Sequence, residues 1–153
     1  MNLHEYQAKE LLKANGINIP KSKISNSINQ TFEIAKQFNS SLAIKAQIHS
    51  GGRGKAGGIK IINTPQEARD FASFILGTNL ITEQNKPHGQ PVKQLLIEET
   101  ISIKKEMYFS ILIDRQTESI VIITSQFGGM DIEEIASKDP KSITKVYCKI
   151  NTS

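Results

Sequence analysis

The sequence predicts a mixed chain of α-helices and β-strands, α+β or α/β in class, with a mixed sheet, flanking helices and an antiparallel hairpin late in the chain. Three observations point there. Short runs rich in Ile, such as residues 42–48 and 94–98, read as strands. Between them lie segments with helix start and stop signals, the clearest at Thr64-Pro65-Gln66-Glu67. Two apolar runs flanking Arg115-Gln116-Thr117-Glu118 read as a hairpin.

Each element follows from local chemistry. Residues 3–14 place Leu3, Tyr6, Leu11 and Leu12 at helical positions, Asn2 and Glu5 resemble a capping box, and Gly16 sits where a helix C-cap belongs. A weaker helix over 30–38 carries Phe32, Ala35 and Phe38 on one side. In the strand 42–48, Lys45 points to the face opposite Ile44 and Ala46. The nine-residue loop 50–58 holds five glycines and leads into a short strand over 59–62. Thr64 then caps a helix running to about Leu76, and Gly77 stops it. After a turn-rich connector at 86–91, strands are expected over 92–98, 106–114 and 119–124. Phe127-Gly128-Gly129-Met130 feeds a short helix over 131–137, and a strand over 143–150 follows. Cys148 alternates with Val146 and Ile150, which assigns it to packing rather than nucleophilic chemistry, and Met107 and Phe109 are likewise assigned to a packed strand face.

Bulk properties narrow the function classes. With 153 residues, 38% hydrophobic and 22% charged, the chain has the composition of one ordinary globular domain. No apolar stretch approaches the roughly 20 residues that span a bilayer. The opening Met1 to Glu5 has neither a basic nor an apolar signal region, and the single cysteine excludes an internal disulfide, so the chain reads as cytoplasmic. The net charge of +4 comes without blocks of like charge and with only 6% aromatics, which argues against nucleic acid and for a small anionic ligand.

Three places carry chemistry. Lys45 is followed by His49-Ser50-Gly51-Gly52-Arg53-Gly54-Lys55-Ala56-Gly57-Gly58, where glycines let backbone N–H groups turn toward a ligand and Arg53 and Lys55 add charge for phosphate oxygens. This is not a Walker loop, since Ala56 follows Lys55. The same composition also suits a flexible hairpin turn with solubilising charges. Glu98 ends an apolar strand, with Glu99 beside it and Glu106 after Lys104-Lys105; it suits ribose hydroxyls or, equally, a solvated strand end. Gly128-Gly129 ahead of a helix suits an anion site or a plain strand-to-helix turn. His4, His49 and His88 have no metal-ligand spacing.

Together, the opening Met1-Asn2-Leu3-His4-Glu5-Tyr6-Gln7-Ala8-Lys9, the loop His49 to Gly58, the helix start at Thr64, the turn Gly89-Gln90-Pro91-Val92 and Gly128-Gly129-Met130-Asp131-Ile132-Glu133-Glu134 resemble, in matching order, the β-subunit of succinate–CoA ligase. The resemblance covers essentially the whole chain. It implies the N-terminal portion of an ATP-grasp fold over residues 1–153, in which two subdomains close on ATP or GTP. It implies that Lys45 contacts the phosphates and that Gly52, Arg53 and Gly54 form the loop closing over them. Glu98 and Ile101 would meet the nucleotide at the hinge, Glu106 would be a further nucleotide ligand, and the helix opened by Gly128 and Gly129 would face a phosphohistidine of the α-subunit. That histidine is none of the three here. Pro20 falls in a loop that resembles the ATP-favouring form.

The resemblance also implies a longer protein. Its second subdomain supplies the Asn and Asp that hold Mg²⁺, and a C-terminal domain docks the α-subunit; both lie outside this sequence. Where the family reads Ser-Thr-Glu-Gly-Gly, this chain has Ser125-Gln126-Phe127-Gly128-Gly129. The chain taken alone is therefore expected to have little or no ligase activity, with no catalytic or metal-binding residue of its own. Two alternatives accompany that reading: a non-enzymatic remnant of a truncated gene, and the β-subunit of a related acyl-CoA ligase such as malate–CoA ligase.

Overall fold

The computed structural model describes residues 2–129 and 132–149, and the chain divides into two units, Met1–Ile101 and Ser102–Ser153. In the first unit the order is α1 (Glu5–Ala14), β1 (Ser22–Ser25), α2 (Ile28–Ala35), β2 (Leu42–Ala46), β3 (Ile59–Ile62), α3 (Pro65–Ile75), β4 (Asn79–Leu80), β5 (Gln90–Pro91) and β6 (Leu95–Glu99). The second contains β7 (Tyr108–Asp114), β8 (Ser119–Ser125), α4 (Ile132–Lys138) and β9 (Ile143–Lys149). Every strand pair among the described residues is antiparallel, which places the fold on the α+β side of the expectation.

The main sheet has the order β1-β6-β2-β3. Alternation along its strands sends Leu42, Ile44 and Ala46 of β2 and Leu95 and Ile97 of β6 into one core with Ile34 and Ala35 of α2 and Ala68, Phe71, Ala72 and Ile75 of α3. The α3 residues recur at the i, i+3, i+4, i+7 spacing of a single helical face. Burying each large aliphatic side chain there contributes about 1.5–3 kcal/mol. The α3 start matches the sequence expectation: Thr64 Oγ1 accepts from the Glu67 N–H at 3.2 Å, Pro65 takes the first turn, and Glu67 Oε2 accepts from the Asn63 N–H at 2.7 Å.

The opposite face of the sheet presents Ala43 and Lys45 of β2 and Leu96 and Glu98 of β6. The register fixes their neighbourhood, pairing Ala43 with Glu98 and Lys45 with Leu96. Helix α1 lies over this face and buries none of its own residues. Its first turn is capped differently from the sequence expectation. The N-cap is His4 rather than Asn2, and the Gln7 side chain accepts from the His4 N–H at 2.9 Å.

Other boundaries move for local reasons. Ser27 caps α2 by accepting from the Gln30 N–H at 3.2 Å, so this helix begins two residues before the expected start. Strand β6 begins at Leu95, because Val92 is engaged with Thr78 and Gly77 and Gln90–Pro91 pairs with Asn79–Leu80. Strands β1, β4 and β5 were not expected; β1 carries few apolar residues and is held by its ladder to β6, and β5 falls in the stretch read as a connector.

In the second unit the sheet has the order β7-β8-β9, and the turn at 115–118 closes as expected, with Asp114 Oδ1 accepting from the Gln116 N–H at 2.9 Å. The packing assigned to Met107, Phe109 and Cys148 is corrected: all three are exposed. The register sets Phe109 and Cys148 on the sheet face shared by Ile111, Ile113 and Val146. The alternate residues of β8, Ser119, Val121 and Ser125, are the buried ones. Alternation identifies two faces but not which of them is covered. Asp131 and Ile150, expected at the ends of α4 and β9, lie outside the described residues.

Candidate functional site

The sheet face under α1 gathers five charged side chains. Lys45 and Glu98 project from neighbouring strands, and Lys45 Nζ donates to Glu98 Oε1 at 2.7 Å. Glu98 is only 5% exposed; its other oxygen accepts from Lys9 of α1. A buried carboxylate is tolerated when paired and hydrogen-bonded in this way. The solvated strand end considered for Glu98 is thus replaced by a buried, doubly paired position within β6.

From above, Glu5 reaches into the same cluster. Its Oε1 accepts from Lys45 Nζ at 3.0 Å and its Oε2 accepts from Arg53 Nη2 at 2.6 Å. Lys9 adds a longer contact to Glu5 at 3.3 Å. Arg53 Nη1 donates to the Ala46 carbonyl at 2.7 Å, tying the glycine loop back to the end of β2. Burial works to raise the Glu5 carboxyl, but the hydrogen bonds and charges of Arg53 and Lys45 outweigh it and hold it at about 2. Burial likewise works to lower the Lys45 ammonium, and its bonds to Glu98 and Glu5 raise it instead. Lys45 is therefore a fully charged donor at neutral pH.

The loop after β2 joins the antiparallel pair β2–β3, as a hairpin connection does, and carries hydrogen-bonded turns of its own. Ala56 N–H donates to Gly52 O at 3.1 Å, Gly57 N–H to Gly54 O at 3.1 Å and Gly58 N–H to Arg53 O at 2.7 Å. These turns need Gly52 in the left-handed region, at φ +73°. Beside the loop lies a cleft of about 490 Å³ lined by Glu5, His49, Ser50, Gly51, Arg53 and Gln84 among others. His49 stacks on His4 with ring centroids 3.8 Å apart. The His4 imidazole is lowered by its burial, by His49 and by Arg53.

The structure therefore brings Lys45, Arg53 and Glu98 into one cluster, with Gly52 and Gly54 in the adjoining loop. Ile101 is exposed at the end of the first unit. Glu106, Gly128 and Gly129 belong to the second unit, where they meet one another. A Cβ on Gly128 would approach the Met107 backbone to 2.7 Å, and one on Gly129 would collide with the Glu106 carboxylate. Helix α4 beyond them spans only Ile132–Lys138.

Sequence reasoning missed Glu5 and Lys9, whose i, i+4 spacing on α1 was the available signal. It also missed Gln84, whose Oε1 accepts from the Gly51 N–H at 2.8 Å; nothing in the local sequence marks it. Among the described residues, no group of three or more His, Cys, Asp or Glu side chains is placed to hold a metal ion, and no helix is long and apolar enough to cross a membrane.

A half-buried lysine paired with a buried glutamate across two strands, beside a glycine loop bearing an arginine, has the form of an anion-binding wall. The family model described as an ATP-grasp domain matches residues 2–153. The chain belongs to the ATP-grasp family. This ATP-grasp chain is 46% identical over 149 residues to the succinate–CoA ligase [ADP-forming] subunit beta of Methylobacillus flagellatus, covering 97% of this chain and 38% of that protein. It is 47% identical over 146 residues to the protein of the same name from Brevibacillus brevis, covering 95% and 38%. The chain thus spans under two-fifths of the length of these relatives.

Solved structures share the ATP-grasp chain's fold. The ATP citrate lyase of Methanothrix soehngenii, in complex with citrate and coenzyme A, superposes with a TM-score of 0.70 at 18% identity, over 99% of this chain and 36% of that one. The dinucleotide-forming acetyl-coenzyme A synthetase 1 of Ca. Korarchaeum cryptofilum gives 0.70 at 17% identity, over 95% and 59%.

Proposed function

We propose that residues 1–153 form the N-terminal ATP-grasp region of a succinate–CoA ligase β-subunit and supply one wall of its nucleotide site. The observation that carries this reading is the convergence of Lys45, Arg53 and Glu98 on one sheet face beside the glycine loop. Lys45 and Arg53 meet phosphate oxygens as charge-assisted donors, and the loop Gly52-Arg53-Gly54 brings backbone close to them. Glu98 sets the direction of the Lys45 ammonium. Ile101 contributes a backbone contact at the boundary of the first unit. In the second unit, Glu106 is a further nucleotide ligand, with Gly128 and Gly129 shaping the turn it rests on.

The whole protein would join succinate to CoA at the expense of ATP, giving succinyl-CoA, ADP and phosphate in the citric acid cycle, together with an α-subunit, in the reducing cytoplasm. The relatives' shared name supports ATP over GTP and succinate over malate. Mg²⁺, when bound to such a site, neutralises charge on the transferring phosphoryl group. Its ligands would come from the part of such a subunit beyond this sequence.

Calorimetric titration of the chain with ATP and Mg²⁺ tests the site. Binding that weakens at least about tenfold in both Lys45→Ala and Arg53→Ala supports it, since each removes a charged hydrogen bond of about 1.5–3 kcal/mol. Binding that neither substitution changes would overturn it.

A further inference from the structure

Glu5 belongs to none of the residues assigned to the nucleotide, yet it touches both of their cations. One carboxylate oxygen accepts from Lys45 at 3.0 Å and the other from Arg53 at 2.6 Å. The second terminal nitrogen of Arg53 is taken by the Ala46 carbonyl, and Lys45 is shared with Glu98. A planar carboxylate bridging two cations through separate oxygens presents the same chemistry as two oxygens of a phosphate.

The two carboxylates of the cluster are held very differently. Glu98 sits within a central strand, its side chain 6% exposed, beneath Lys45 and Lys9. Glu5 rides on the first turn of α1, its side chain 21% exposed, at the edge of the 490 Å³ cleft beside the loop. Residues 5–9 of α1 are half-buried and none is fully buried. Its hydrogen bonds outward are polar ties to the sheet and the segment after β2: Lys9 to Glu98, Glu5 to Lys45, and the Tyr6 N–H to Gln47 Oε1 at 3.3 Å. With no residue fully buried and with these polar ties exchangeable, α1 is held less firmly than the central strand that carries Glu98. Glu98 has no comparable way out.

We propose that Glu5 is an internal stand-in for phosphate, which holds Lys45 and Arg53 together in the ligand-free chain and is displaced from both when nucleotide binds. The proposal rests on the nucleotide reading of those two residues. Without Glu5, the cations Lys9, Lys45 and Arg53 would face one another with Glu98 alone between them; with it they are positioned and neutralised. The incoming phosphates must then exchange one anion for another, so Glu5 stabilises the free form and lowers affinity. It is a positioning residue, acting through Lys45 and Arg53.

The experiment compares the 153-residue chain with Glu5→Gln by thermal unfolding and by calorimetric titration with ATP and Mg²⁺. A lower melting temperature together with ATP affinity raised about threefold to tenfold is expected, as one like charge beside the phosphates is removed. A purely supporting role would lower both. Unchanged or weaker binding in Glu5→Gln, with wild type binding ATP, overturns the proposal and leaves the nucleotide reading standing. Absence of ATP binding in both overturns the two together. Should Glu5→Gln not fold, Glu5→Asp decides on the same readout: its carboxylate is one methylene too short to bridge both cations, and tighter binding than wild type is again the expected result.

Discussion

Lys45 and Glu98 stand diagonally across the β2–β6 ladder, Lys45 opposite Leu96 and Glu98 opposite Ala43, and this offset brings Nζ to within 2.7 Å of Oε1. Both side chains are drawn to the face away from the α2–α3 core, so the pair is an outcome of strand alternation. Lys45→Met would leave Glu98 buried with Lys9 as its remaining partner. Loss of about 1.5–3 kcal/mol of stability is expected, because Glu98 gives up one of its two charged hydrogen bonds while staying buried. Urea unfolding measures it, and a loss below about 0.5 kcal/mol would show the pair to be inert.

The acid limb of stability should report Glu5. Its folded carboxyl sits at about 2 against an ordinary 4.5, so the folded state releases the proton more readily than the unfolded one. The stabilisation is complete above pH 4.5 and is lost as pH falls from there toward 2. At this partly exposed position it amounts to about 1–2 kcal/mol once solvent screening is allowed for. A pH series of unfolding midpoints should be flatter across that window in Glu5→Gln than in wild type; parallel curves would contradict the assignment.

Phe71 of α3 is 5% exposed within the core that backs the site sheet. Phe71→Ala should destabilise the first unit by about 3–5 kcal/mol through lost transfer energy and the cavity left behind. Hydrogen exchange at β2 and β6 would register it as faster opening. Unchanged exchange there would mean that the sheet does not depend on this helix.

Gly129 combines a left-handed backbone, φ +71°, with a position where an added Cβ would run into the Glu106 carboxylate. Gly129→Ala should therefore cost about 1–3 kcal/mol in the second unit, from strain and from displacement of the Glu106 carboxylate. If Glu106 is a nucleotide ligand, ATP binding weakens in the same variant. Full retention of both stability and binding would separate this turn from the site.

Much of this was written locally. The mixed class, the Thr64 helix start, the hairpin around residues 115–118 and the loop after Lys45 follow from capping, turn chemistry and alternation, which act over a few residues. So does the direction of Lys45, because period-two alternation sets it opposite Ile44 once the strand is recognised. What tertiary structure decided is which groups meet. Glu5 and Lys9 come to Lys45 and Glu98 only because α1 lies on the free face of the sheet. Glu98 is a buried ion-pair partner rather than a solvated strand end because β1 and β2 flank β6. Phe109 and Cys148 are exposed because periodicity separates the two faces of a sheet without saying which one another element will cover. Contacts between residues 40 to 90 positions apart depend on the whole chain's packing, and no short window of sequence contains them.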